Sequence, residues 1–133
     1  MAKAGIKRTS ILMIDDDLIF RDIFKEMLKK VGVKKVTAVG SARAAIELLR
    51  HGNVEFHVIL LDLDMPDMNG VAFLQTIRNS HDQKMAELPI IIVSGYDNET
   101  VRADLNRFGV LGFLGKPPDM ADLKQMIASL EKT

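Results

Sequence analysis

The chain has 133 residues, enough for one domain, and 47% of them are hydrophobic, which supports a buried core and excludes a disordered chain. Its 18 basic and 18 acidic residues cancel, so there is no electrostatic case for nucleic acid or an anionic membrane as partner. Cysteine is absent, which excludes a disulfide framework and a thiolate zinc site and fits a reducing, cytoplasmic setting.

Residues 1–10 are basic and precede no long apolar segment, so they are expected as a flexible leader rather than a signal peptide. The folded domain is expected over 11–131, with no apolar run near the ~18 residues of a membrane span. Ile11-Leu12-Met13-Ile14 predicts a first strand, ending in Asp15-Asp16-Asp17. Leu18, Ile19, Ile23, Met27, Leu28 and Val31 fall near helical spacing, with Asp17 as cap and Gly32 as stop. Val36 to Val39 predicts a second strand. Ser41 caps the next helix, with Ala45, Ile46, Leu48 and Leu49 inward, and His51-Gly52-Asn53 closes it.

Val58-Ile59-Leu60-Leu61 is an apolar run that stops at Asp62, the pattern of a central parallel strand buried on both faces. Pro66 lacks an amide donor and Asn69-Gly70 suits a tight turn, so Asp62 stands where this strand breaks into a loop. Val71, Phe73, Leu74 and Ile77 predict a third helix, and polar Asn79 to Glu87 predicts a loop. Pro89 to Ser94 predicts a fourth strand, and Gly95-Tyr96-Asp97-Asn98 a turn. Val101, Leu105 and Phe108 form one stripe of a fourth helix that Gly109 stops. Leu111 to Leu114 predicts a fifth strand, followed by Gly115-Lys116-Pro117-Pro118. Asp119 caps a last helix with Leu123, Met126, Ile127 and Leu130 inward.

Five strands alternating with five helices predict an α/β fold, a doubly wound parallel sheet with right-handed crossovers. Asp15-Asp16, Asp62, Ser94 and Lys116 then converge on one sheet edge, where open α/β sheets bind ligands. A carboxylate there is a metal ligand, a nucleophile, or both. Two unit charges ~4 Å apart cost about 4 kcal/mol at an effective dielectric of ~20. The crowd is relieved by protonating one carboxyl or by binding a cation. Oxygen ligands with some retained water suit magnesium. Lys116 adds a cation for a ligand anion, and Ser94 a hydroxyl donor. Together these residues form a phosphoryl-transfer kit. Asp17 reads as a helix cap and Asp67 as a solvated turn residue. His51, His57 and His81 have no partner at metal-ligand spacing, and the methionines fit core or loop positions.

In motif order and spacing, the chain resembles a response-regulator receiver domain of two-component signalling, from Ile11 to about Leu130. The resemblance rests on Asp15-Asp16, on Leu-Leu-Asp-Leu-Asp-Met-Pro-Asp-Met-Asn-Gly from Leu60 to Gly70, on Val93-Ser94-Gly95, and on Lys116-Pro117. It implies a flavodoxin-like sheet in the order 2-1-3-4-5. It implies a signalling switch rather than an enzyme. Asp62 would accept a phosphoryl group from a sensor histidine kinase or a histidine phosphotransfer protein. Asp16, Asp62 and the backbone carbonyl of Asp64 would ligate magnesium, with Asp15 acting mainly through water. Lys116 would pair with the phosphoryl oxygens, Ser94 would swing toward them, and Phe113 would turn inward. Output would pass through the face of the fourth helix, fifth strand and last helix, to an output protein or to an effector domain outside this sequence.

Several positions depart from the commonest family choices. Ser94 replaces a more usual threonine, Gly95 an alanine and Phe113 a tyrosine, and Pro118 stands where a bulky residue is frequent. Asp64, two residues after the acceptor, is expected to point toward the mouth of the site, to activate water or repel anionic donors. The rivals are a haloacid-dehalogenase-type phosphohydrolase, built on Asp62-Leu63-Asp64, and a receiver-like binding module that takes no phosphate. A calcium loop is disfavoured because Pro66 intrudes and the acid spacing is wrong.

Overall fold

Three runs, Ile11–Ile14, Val58–Leu61 and Ile90–Val93, are apolar at every position and almost fully buried. Such strands have no solvent face, so both sides of their sheet must be covered. The structure is a computed structural model and describes residues 9–95 and 99–130. Its strands are β1 (Ser10–Ile14), β2 (Lys35–Val39), β3 (Val58–Asp62), β4 (Ile90–Ser94) and β5 (Gly112–Gly115). Its helices are α1 (Leu18–Lys30), α2 (Ala42–His51), α3 (Gly70–Arg78), α4 (Gln83–Ala86), α5 (Glu99–Asn106) and α6 (Met120–Leu130). The sheet is parallel throughout, in the order β2-β1-β3-β4-β5.

Alternate residues of the central strands feed two cores. Leu12, Ile14, Ile59, Leu61, Ile90 and Ile92 pack with Ala45 of α2, Phe73, Leu74 and Ile77 of α3, Met85 of α4 and Leu105 of α5. Ile11, Met13, Val58, Leu60, Ile91 and Val93 pack with Phe20, Phe24 and Leu28 of α1 and Leu123 and Ile127 of α6. The tip of the Met126 side chain from α6 rests against Gly112 of β5, in the space a Cβ would take.

Three local readings change. There are six helices among the described residues, because Asn79–Glu87 contains α4. Asp82 caps that single turn by accepting from the Lys84 and Met85 amides, and Met85 is drawn into the core. The buried stripe of α1 is Phe20-Phe24-Leu28, while Leu18, Ile19 and Ile23 are 68%, 74% and 50% exposed. The helix carries two apolar arcs, and the one with two phenyl rings, packed edge to face at 5.4 Å, removes more area from water. Finally, Asn69 caps α3 through the Ala72 amide rather than forming a turn with Gly70. The turn lies earlier, where Met68 N–H donates to the Met65 carbonyl across Pro66-Asp67.

The expected caps Asp17, Ser41 and Asp119 accept amides of the first turns of α1, α2 and α6. β1 begins at Ser10, with Thr9 already buried; residues 1–8, Tyr96 to Asn98 of the expected turn, and residues 131–133 lie outside the described residues.

Candidate metal and acceptor site

Four strands end at the same sheet edge, and each delivers a polar residue there. Asp15 follows β1, and its N–H extends the ladder to the Val39 carbonyl at 3.0 Å. Asp62 ends β3, paired in register with Val93, and Ser94 ends β4 opposite Gly115. Lys116 follows β5, and the Lys116–Pro117 peptide is cis.

Asp15 and Asp62 are 1% and 2% exposed, so their charge needs a partner. Each carboxylate is oriented by an amide two residues on: Asp17 N–H donates to Asp15 Oδ1 and Asp64 N–H to Asp62 Oδ1, both at 2.8 Å. These local turns are the habit of aspartate at a strand end. The other oxygens meet Lys116, whose Nζ is 2.9 Å from Asp62 Oδ2 and 3.4 Å from Asp15 Oδ2. The same ammonium lies 4.6 Å from the centre of the Phe20 ring. Arg21 Nε donates to the Asp15 carbonyl and ties α1 to this loop.

Burial pushes the Asp62 carboxyl above the usual carboxylate range, and the Asp15 charge adds to that, although Lys116 and the Asp64 amide pull the other way. Burial pushes the Lys116 ammonium down, but its hydrogen bond to Asp62 and the charges of Asp62 and Asp15 outweigh that and raise it. The site is thus an excess of negative oxygen on one lysine.

Asp15, Asp16 and Asp62 each present a carboxylate oxygen, and the three atoms lie within 4.8 Å of one another. Asp16 is exposed while the other two are buried. Hard oxygen donors with one exposed side fit magnesium carrying part of its water shell.

Asp15, Asp16, Asp62 and Lys116 therefore come together as expected. Ser94 and Asp64 meet each other instead: Ser94 Oγ donates to Asp64 Oδ1 at 2.8 Å and Gly95 N–H to Asp64 Oδ2 at 2.7 Å. Phe113 is half-buried on β5, with the Arg102 guanidinium 4.9 Å from its ring centre. Phe20 and Arg21 were not expected at the site; their place directly after the acid loop was the available signal.

A buried strand-end carboxylate, an adjoining lysine and an all-oxygen cation seat on a 2-1-3-4-5 sheet define a phosphoryl-accepting domain. The family model of the response regulator receiver domain matches residues 11–128, and the chain belongs to that family. It is 34% identical over 117 residues to the two-component response regulator ORR26 of Oryza sativa subsp. japonica, covering 87% of this chain. The chain spans only 19% of that relative's length. It is 27% identical over 121 residues to the chemotaxis protein CheY-3 of Vibrio cholerae, covering 91% of this chain and 90% of that protein. Among solved structures, a response regulator receiver protein from Pseudomonas putida superposes with a TM-score of 0.79 at 29% identity, over 92% of this chain and 97% of that one.

The Asp15–Asp16–Asp62 cluster is typical of the magnesium-binding phosphoacceptor site of such domains. The chain is a receiver domain, like the signalling proteins it resembles. Among the described residues, no helix is long and apolar enough to cross a membrane.

Proposed function

We propose that Asp62 takes a phosphoryl group from a phosphohistidine on a sensor histidine kinase or histidine phosphotransfer protein in the cytoplasm. A carboxylate oxygen of Asp62 attacks phosphorus, the phosphorus–nitrogen bond breaks, and the leaving imidazole takes up a proton. Asp16, Asp62 and the Asp64 carbonyl would hold magnesium, with Asp15 acting mainly through water, and the ion would supply positive charge to the transferring group. Lys116 keeps its cation on the same oxygens, so the charge developing in transfer meets a preset donor. The observation that carries this reading is the 2.9 Å contact between Lys116 Nζ and Asp62 Oδ2 beside the three-acid cluster.

The donor docks over the start of α1. Leu18, Ile19 and Ile23 stand exposed immediately after the acid loop, and apolar side chains beside an acceptor suit the helical face of a phosphohistidine domain. Output leaves through α5, β5 and α6, from Val101 to Phe108 and from Asp119 to Leu130. This is the face expected of the fourth helix, fifth strand and last helix, with α4 now counted. Phosphate on Asp62 draws Ser94 toward it, Phe113 turns from beneath Arg102, and the face is reshaped for an output protein or an effector domain. Amide NMR with beryllofluoride and magnesium as phosphoryl mimic tests this. The expected result is shifted amides across α5, β5 and α6 as well as at the site. Shifts confined to the acid cluster would contradict the coupling.

A further inference from the structure

The end of β4 presents two donors side by side, the Ser94 hydroxyl and the Gly95 amide. Such a pair is a seat for an anion. Here the chain fills it with its own carboxylate, one Asp64 oxygen to each donor at 2.8 and 2.7 Å. Asp64 is fixed for that task from its own backbone, because its N–H donates to Asp62 Oδ1. The acceptor loop and the end of β4 are therefore clasped through one side chain. Asp64 and Ser94 also line an open pocket of about 320 Å³ with Leu63, Val71, Val101, Asp104 and Leu105, which leaves solvent-open space beside the clasp.

We infer that Asp64 is a latch on the unphosphorylated state: its carboxylate holds the Ser94 and Gly95 donors that a phosphoryl group on Asp62 must recruit. The inference rests on Asp62 being the acceptor. The Ser94 hydroxyl has one proton to give, so it serves either Asp64 or the phosphoryl oxygen. A dianion on Asp62 also repels the Asp64 carboxylate two residues away and favours release. Asp64 thus acts through Ser94 as a positioning residue and sets how far phosphorylation shifts the switch.

The test measures beryllofluoride binding with magnesium in wild type, Asp64→Ala, Ser94→Ala and the double variant. The latch predicts about tenfold tighter binding in Asp64→Ala, and a clearly smaller gain when Ser94 is already alanine. It also predicts faster hydrogen exchange of the Gly95 amide in metal-free Asp64→Ala than in Asp64→Asn, because both variants lose the charge but the asparagine oxygen can still accept from that amide. Equal gains in both backgrounds, or an unchanged Gly95 amide, would overturn the latch while leaving the acceptor assignment standing. Should neither wild type nor variant bind the mimic at Asp62, the acceptor reading fails, and the latch with it.

Discussion

Lys116 Nζ lies 2.9 Å from Asp62 Oδ2, and the same ammonium reaches Asp15 Oδ2 at 3.4 Å, so one cation serves two buried carboxylates. Both acids are almost fully buried, and the lysine side chain is 18% exposed. Removing the lysine leaves them facing each other without compensation. Lys116→Met should lower metal-free stability by about 2–4 kcal/mol in urea unfolding and slow phosphorylation of Asp62 at least tenfold. Magnesium should restore much of the lost stability but little of the rate.

The same pair dictates an alkaline limit. Lys116 titrates above its ordinary value in the folded state, so the folded protein holds that proton more tightly than the unfolded chain. The stability it contributes is complete below the ordinary lysine value of about 10.4 and disappears as pH rises through the higher folded value. The stability difference between wild type and Lys116→Met should stay level up to about pH 9.5 and shrink above pH 10.5. A difference that grows with alkali would contradict the pairing.

Magnesium should raise the thermal midpoint, as any ligand confined to the folded state does, because it adds roughly 2.7 kcal/mol of stability at 100 times its dissociation constant. Asp16 is exposed, so Asp16→Asn should leave metal-free stability within about 0.5 kcal/mol and remove most of the magnesium-induced rise. Differential scanning calorimetry with and without magnesium reads both effects.

The apolar start of α1 separates docking from chemistry. Ile19 and Ile23 are 74% and 50% exposed, so replacing both with aspartate should cost little stability. Transfer from a phosphohistidine domain should slow at least tenfold, while phosphorylation by a small acyl phosphate should be unchanged. Equal losses with both donors would place these residues in the chemistry or the core instead.

Far from the acids, Arg78 ties together the segments that lead into β4 and β5. Its guanidinium donates to the carbonyls of Phe108, Ala86 and Leu88 at 2.7, 3.0 and 2.8 Å, joining α3 to the end of α4 and the turn after α5. Charged donors to carbonyls are among the stronger hydrogen bonds, and their loss strands the acceptors. Arg78→Met should destabilise the fold by about 3 kcal/mol without changing magnesium affinity, as measured by urea unfolding and calorimetric titration.

The strands and the acid site were legible because each central strand is an unbroken apolar run that ends in the residue of interest. Ile14, Leu61 and Val93 are each followed by a polar side chain, and parallel topology brings those ends together. The inner face of α1 was not legible in the same way. Ile19 and Ile23 keep helical spacing as well as Phe20 and Phe24 do, and only the sheet decides which pair it covers. The turn of α4 was hidden by its polar surroundings, with Met85 as its sole buried residue. The bond between Asp64 and Ser94 joins positions 30 apart in the chain through two side-chain rotamers, and no local pattern encodes that.

Intact mass spectrometry after incubation with magnesium and a small acyl phosphate tests the central claim most directly. The wild-type chain should gain one phosphoryl group, and Asp62→Asn should gain none. A wild-type chain that stays unmodified would favour a binding module that takes no phosphate. An Asp62→Asn chain that gains the same mass would move the acceptor elsewhere.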